Sequence, residues 1–245
     1  MGFAFYKYHI MTKETKNSKH WAHKNGQNSW TMFKVISEFV AGFEKLNKID
    51  PCVSVFGSAR TKPGEKYYEL AVEVASKICE AGYGVITGGG PGVMEAGNKG
   101  AHLAKGISVG LNIDLPFEQS SNRYIDPDKD IDHNYFFIRK VMFVKYAQAF
   151  VALPGGFGTF DELFEVLTLI QTKKISPLPV ILVGTDFWSG LKDWIQKTVL
   201  ETHGNISPDD MDLIPIVDDA DEVIRIINDF YSGEGKGELE PNFDI

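Results

Sequence analysis

A carboxylate follows directly on a glycine-rich turn in the stretch LPGGFGTFDELFE, residues 153–165. Glycines let backbone N–H groups approach an anion closely, and the N-terminus of a following helix contributes about half a positive charge. The pattern therefore predicts a phosphate site with Glu162 in the first turn of a helix. From there the carboxylate can orient an attacking water or stabilise a cationic transition state.

The same residues also fit a purely structural explanation. If Thr159 is the N-cap of the helix, Glu162 is its third residue and closes a capping box with the Thr159 amide. The sequence is compatible with a capped turn, with a reactive carboxylate and with both.

Two further strand ends carry small-residue turns, FGSAR at 56–60 and TGGGPGVMEAG at 87–97. Parallel strands bring their carboxyl ends to one edge of a sheet, so three such turns predict one shared anion site. Arg60, at the end of the first of these turns, faces either phosphate or solvent, and Asn98, in the helix after the triple glycine, is expected to serve packing or capping.

The glycine runs do not match the common nucleotide-binding motifs. A G-x-G-x-x-G motif would need glycine at Val93 or Asp161, and no G-x-x-x-x-G-K-[ST] motif occurs. A mononucleotide or a sugar phosphate therefore fits better than a dinucleotide or a nucleoside triphosphate.

Two consecutive cations, Arg139 and Lys140, fall near the start of a predicted helix over 135–147. Cations in a first turn oppose the helix dipole at about 0.3–1 kcal/mol each, a cost that a bound anion removes. The alternative is that the helix begins earlier and that both side chains are solvated on its middle turns.

Short β-branched runs alternate with amphipathic runs from Pro51 onward. This alternation predicts an α/β fold: a single doubly wound parallel sheet, Rossmann-like, with helices on both faces and an extra N-terminal helix capped by Ser29. Strands are predicted at 52–57, 83–87, 106–111, 149–154, 179–184 and 213–217, and helices at 65–81, 92–104, 135–147, 159–173, 186–202 and 219–231.

We expect one catalytic domain over 30–232, a mobile tail over 1–29 and a loose tail over 233–245. The polar segment 114–135 is predicted to be a long connection. Met11 is an alternative start of the chain.

The chain of 245 residues has 33 acidic and 25 basic residues, which argues against a protein that coats nucleic acid or a membrane. It has no apolar run long enough to span a bilayer and no signal-peptide pattern. Two cysteines without metal-site spacing indicate neither a disulfide framework nor a metal site. These features favour a cytoplasmic protein.

Together, VFGSAR, GGGPGVMEAGNKGA, RKVMF and PGGFGTFDE resemble the Lonely Guy (LOG) family of cytokinin-activating phosphoribohydrolases, in its larger bacterial branch. The resemblance covers about 55–200. It implies that the N-glycosidic bond of an adenine-type nucleoside 5′-monophosphate is hydrolysed to free base and ribose 5-phosphate, without a cofactor or metal. It also implies a homodimer or a multiple of dimers. The alternative is a non-catalytic nucleotide or molybdenum-cofactor carrier of the same fold.

By this resemblance Arg139 and Glu162 match the family's catalytic arginine and glutamate, and Lys140 matches the lysine of its RKxxM motif. Phe143 and Glu95 stand where the plant form has Met and Gly. The substrate contacts that we expect are Ser58, Arg60, Gly88, Gly89, Gly90, Gly92, Met94, Lys140, Gly155, Gly156, Gly158 and Thr159.

Overall fold

The computed structural model describes residues 28–115, 121–232 and 239–242. The chain divides into two compact units, one up to Ala41 and one from Gly42 onward. The first unit contributes most of the first helix, and the second contains the sheet and all the other elements. The predicted N-terminal tail lies outside the described residues, apart from its last two.

The described chain contains seven strands and seven α-helices, which alternate except that β4 follows β3 without a helix between them. Helix α6 continues as a π-helix over Ile195–Thr202, and a 3₁₀ helix over Pro208–Leu213 precedes the last strand. In chain order the elements are α1 Asn28–Leu46, β1 Cys52–Phe56, α2 Lys66–Glu80, β2 Gly84–Thr87, α3 Val93–Leu103, β3 Ser108–Ile113, β4 Asp130–His133, α4 Phe136–Tyr146, β5 Ala147–Ala152, α5 Phe157–Gln171, β6 Val180–Val183, α6 Thr185–Trp194, β7 Ile216–Val217 and α7 Ala220–Ser232.

The strands form one sheet in the order β4-β3-β2-β1-β5-β6-β7, and every pair is parallel. The chain first builds outward from β1 to β4, and then returns to place β5 against the other side of β1. This reversal is a topological switch point, where sheets of this kind bind ligands beyond the strand ends. The predicted doubly wound sheet is confirmed.

Alternate side chains of the central strands pack on opposite faces of the sheet, which explains their continuous apolar sequences. Val53 and Val55 of β1 join the core formed with α2, α3 and α7. Phe56 points to the other face, where its ring stacks on Phe150 and lies 4.8 Å from the ring of Phe143. The switch point is therefore held between two packed layers.

One strand was missed by the sequence reasoning. Residues Asp130–His133, inside the segment predicted as a connection, pair with β3 as the edge strand β4. In this strand only Ile131 and His133 are buried, whereas Asp132 is exposed and Asp130 is half-buried, with its carboxylate accepting a hydrogen bond from the Asn112 side chain. An edge strand with one buried face needs few apolar residues, so this run lacks the pattern by which the other strands were recognised.

Two predicted boundaries also need correction. Helix α1 begins at Asn28, so Ser29 lies inside the helix and is not its cap. Part of the tail predicted to be loose, residues 239–242, is hydrogen-bonded to the end of α4. The Asn242 backbone amide donates to the Lys145 carbonyl, and the Asn242 side chain donates to the Val144 carbonyl. These carbonyls belong to the last turn of α4, and the carbonyls of a last turn have no hydrogen-bond partner within their own helix.

The helices of the described chain include none long and apolar enough to cross a membrane.

Candidate functional site

The three glycine-bearing turns are joined by backbone hydrogen bonds at the switch point. The Ser58 amide donates to the Pro154 carbonyl over 3.0 Å, which links the turns after β1 and β5. The Val93 amide donates to the Ser58 carbonyl over 2.9 Å and links the start of α3 to the same place. The expectation that the three turns share one edge of the sheet is confirmed.

A cavity of about 850 Å³ opens between these turns and the first residues of α4 and α5. Its volume is in the range of small-molecule sites. Ten of the fourteen residues expected at the site line it: Ser58, Arg60, Gly88, Met94, Arg139, Gly155, Gly156, Gly158, Thr159 and Glu162.

The other four expected residues lie behind the wall of the cavity or beside it. Gly92 has φ +72°, and a Cβ there would meet the Ser58 carbonyl oxygen at 2.2 Å, so this glycine allows two turns to pack. The carbonyls of Gly89 and Gly90 accept hydrogen bonds from the Asn122 side chain. Lys140 points instead to two carboxylates on α5, described below.

Asn98 and Asn122 hold the second glycine turn from behind. The Asn98 side-chain oxygen accepts from the Thr87 hydroxyl and from the Asn122 amide, and its nitrogen donates to the Ser108 hydroxyl. The packing role expected of Asn98 is confirmed. Asn122 was missed, because nothing in its local spacing distinguishes it from other polar residues of a long connection.

Sequence reasoning also missed the aromatic part of the wall. Six phenylalanines line the cavity, and all but Phe136 and Phe187 lie inside the motifs quoted above: Phe56, Phe136, Phe143, Phe157, Phe160 and Phe187. The cavity therefore combines open glycine backbone with aromatic surface, which suits a ligand that has both a phosphate and a flat ring.

The predicted capping box at Glu162 is wrong. Helix α5 begins at Phe157 with Gly156 as its N-cap, and the Gly156 carbonyl accepts the first helical hydrogen bond from Phe160. Glu162 is therefore the sixth helical residue, beyond the reach of a capping box. The side chain of Thr159 occupies the space in which a Cβ at Gly155 would lie. No side chain of the described residues caps this helix.

Glu162 is a buried carboxylate with little local compensation. Only 4% of the residue is exposed, and its Oε2 has no hydrogen-bond partner among the described residues. Its Oε1 lies 3.8 Å from Nη2 of Arg139. Burial raises the pKa of Glu162 to about 7, although the charges of Arg139 and Lys140 act in the opposite direction. A carboxyl group with such a pKa can exchange protons at neutral pH.

Arg139 is the fourth residue of α4, close to the start of the helix as the sequence predicted. Its guanidinium lies over the rings of Phe136 and Phe143, 5.1 and 5.8 Å from their centroids. With 14% of its side chain exposed, it is not solvated on a middle turn. The two rings hold the cation at the wall of the cavity, opposite Glu162.

Lys140 faces a different pair of groups. Its Nζ lies 2.7 Å from Oε2 of Glu165 and 3.0 Å from Oδ2 of Asp161. These three residues line a second, shallower groove together with Phe157 and Phe160. Lys140 thus joins α4 to α5 beside the cavity.

Within the described ranges, no group of three or more His, Cys, Asp and Glu side chains is placed to hold a metal ion. The cavity wall brings together the Glu162 carboxylate, the Arg139 guanidinium and the glycine-rich backbone. Together they can bind an anion, move a proton and stabilise positive charge on a substrate.

Comparison with known proteins gives a consistent assignment. A family model described as "Possible lysine decarboxylase" matches residues 94–227. A cytokinin riboside 5′-monophosphate phosphoribohydrolase of Arabidopsis thaliana is 30% identical over 197 residues, which cover 79% of this chain and 83% of the plant protein. A protein of the same description from Mycobacterium tuberculosis is 32% identical over 184 residues, covering 72% of this chain and 92% of its own.

Among solved structures, the molybdenum cofactor carrier protein of Chlamydomonas reinhardtii has a TM-score of 0.55 and 22% identity to this chain. The match covers 75% of this chain and 99% of the carrier. At this level of identity the similarity shows a common fold.

Proposed function

The chain belongs to the LOG family, matched by the model described as "Possible lysine decarboxylase", and from this membership we propose that it hydrolyses the N-glycosidic bond of a purine nucleoside 5′-monophosphate. The substrate class is an adenine nucleotide, plain or modified at N6 as in a cytokinin. The products are the free base and ribose 5-phosphate. A hydrolase acting on glycosyl bonds is what the named relatives have in common.

The observation that carries this proposal is the burial of the Glu162 carboxylate and its unpartnered oxygen. A buried carboxylate with one oxygen unpartnered within the described chain costs stability unless something else uses that oxygen. It lies at a cavity above the switch point, where ligands of such sheets bind. A substrate water or a positively charged ribosyl group would provide the missing partner.

The glycines of the third turn support a phosphate site. A Cβ at Gly156 or Gly158 would meet no atom within 4 Å, and neither residue has positive φ. Neither packing nor backbone conformation therefore requires glycine at these two positions. Because α5 has no side-chain cap in the described structure, its first N–H groups are available to an anion.

In the proposed reaction, Glu162 accepts a proton from a water that attacks the anomeric carbon of the ribose. The C–N bond breaks, and its electron pair leaves with the base, which takes up a proton. The carboxylate also stabilises the oxocarbenium character that develops on the sugar. Arg139 binds the phosphate or ribose or assists the departing base.

The direct test is to incubate the protein with AMP and with an N6-prenylated AMP and to separate the products by chromatography. We expect free base and ribose 5-phosphate in equal amounts. Tight binding of either nucleotide without release of base would contradict the proposal and favour a carrier.

A pair of glycine variants tests the phosphate site. Gly158 in α5 and Gly190 in α6 both have open space where a Cβ would stand, so alanine at either position fits the fold. We expect Gly158→Ala to weaken AMP binding at least about tenfold, because the added methyl group separates the phosphate from the backbone. Gly190→Ala, which lies outside the cavity lining, should leave the affinity unchanged. Equal affinities in the two variants would contradict a phosphate site at this turn.

A further inference from the structure

Phe157 is the most exposed large apolar side chain at the site. The residue is 94% exposed, although it is the first residue of a helix that begins at the cavity. It lines both the main cavity and the adjoining groove. An aromatic ring left in water at the edge of a binding cavity favours a partner that would cover it.

The other five phenylalanines of the cavity have partners in the protein. Phe56 packs on aromatic neighbours, and Phe136 and Phe143 lie under the Arg139 guanidinium. The rings of Phe160 and Phe187 pack against Trp188, with centroids 5.5 and 4.8 Å from it. Among the described residues, Phe157 makes no ring or cation contact.

Phe157 stands between the two glycines of the third turn. Neither Gly156 nor Gly158 has any atom within 4 Å of the place where a Cβ would stand. The backbone of these glycines is the proposed phosphate site, and the Phe157 side chain carries a ring away from that backbone. In a nucleotide, the ribose likewise carries the base away from the phosphate.

We propose that Phe157 is the platform on which the purine base stacks, and that it determines the preference of this site for base-containing ligands. The proposal rests on the proposed function, because it takes the ligand to be a nucleoside monophosphate. Stacking on an aromatic ring recognises the π face that every base has, and edge contacts are not needed. Arg139 and Glu162 then lie beside the glycosidic bond, between the bound phosphate and the stacked base.

The test compares a ligand with a base and one without. In the Glu162→Gln background, which prevents turnover, calorimetry gives the affinities for AMP and for ribose 5-phosphate. We expect Phe157→Ala to weaken AMP binding on the order of tenfold and to change ribose 5-phosphate binding less than twofold. Phe157→Trp should restore AMP binding. In the wild-type background, Phe157→Ala should raise KM for AMP without changing inhibition by ribose 5-phosphate.

Phe137→Ala is the matched control, since this exposed phenylalanine lines neither the cavity nor the groove. It should leave both affinities unchanged. Equal weakening of AMP and ribose 5-phosphate by Phe157→Ala, or no weakening of either, would overturn the proposal. A fall in oligomeric mass with equal loss of both ligands would identify the ring as a subunit contact and would also overturn it.

Failure of the proposed function can be distinguished from failure of the Phe157 proposal. If the wild-type protein binds AMP without releasing base, the hydrolase is refuted, yet a base-dependent loss in Phe157→Ala still supports the platform. If the wild-type protein binds neither AMP nor ribose 5-phosphate, both proposals are refuted.

Discussion

Helices α4 and α5 meet in two neighbouring charged groups that differ sharply. Lys140 lies within 3.0 Å of both Asp161 and Glu165, and this cluster is partly exposed. Beside this cluster lie Arg139, which precedes Lys140 in the chain, and Glu162, which follows Asp161. Glu162 is far more deeply buried than the two carboxylates of the cluster, yet its Oε1 is 3.8 Å from Nη2 of Arg139.

Under the proposed function, the Lys140 cluster is a structural contact and the Arg139–Glu162 pair is the reactive one. In the Lys140 cluster each charge has a close partner, so these charges are paired within the protein and need no ligand. In the Arg139–Glu162 pair, burial raises the pKa of the carboxyl group to about 7, and one of its oxygens has no partner in the described structure. Burial without full pairing is costly, and sites of chemistry are where such costs persist.

The largest effect is expected from removing the cation of the loose pair. Arg139→Met keeps an unbranched side chain but removes the charge opposite Glu162. We expect kcat/KM for AMP to fall at least about 100-fold, because the substrate loses a charged contact and the carboxylate becomes harder to ionise. Steady-state kinetics measure the loss, and circular dichroism checks the fold. Activity within tenfold of wild type would place the essential cation elsewhere.

The pH dependence of kcat/KM is the second test. The pKa of Glu162 is raised to about 7 from its ordinary value of 4.5, chiefly by burial. Because the reaction needs the ionised carboxylate, activity should be full above pH 8. It should fall about tenfold per pH unit below 7, as the carboxylate takes up its proton. An acid limb near pH 4.5 would contradict this assignment.

The smallest effect is expected from the tight cluster. Lys140→Met leaves Asp161 and Glu165 without their shared cation, and we expect a loss of about 1 kcal/mol in the free energy of unfolding, measured in urea. Activity at pH 8 should fall only a few-fold. The acid limb should move to higher pH, since Lys140 lowers the pKa of Glu162.

The Lys140→Met variant also controls for the substrate, whose phosphate titrates near pH 6. Substrate titration is the same for both proteins, so a shift between them reports a group of the enzyme. A loss of activity as large as that of Arg139→Met would show that Lys140 binds substrate, as expected from the resemblance to the RKxxM motif.

Much of the fold could be predicted from the sequence. Six strands were recognised because each overlaps a run of mostly apolar residues, and two of them, Cys52–Phe56 and Ala147–Ala152, are buried along their whole length. The edge strand Asp130–His133 was not, because only two of its four residues are buried and the other two are aspartates. Local apolar pattern reports burial, and burial is weakest at the edge of a sheet.

The site could be predicted in part. Glycine turns at strand ends located it, because parallel strands bring their ends together. The start of α5 was placed two residues late, since the capping rule favours Thr159 over a glycine, whereas Gly156 takes that position. Asn122, Phe136 and Phe187 lie outside the quoted motifs and reach the site through tertiary packing of distant segments, which local spacing does not report.

The most direct test of the central claim is release of adenine from AMP by Glu162→Gln. This variant keeps the shape of the side chain and removes the carboxylate. We predict that it folds and binds AMP within a few-fold of wild type, and that single-turnover chromatography detects no adenine on the timescale on which the wild type finishes. Release of adenine at a rate near that of the wild type would contradict the account, because the catalytic carboxylate would then lie elsewhere.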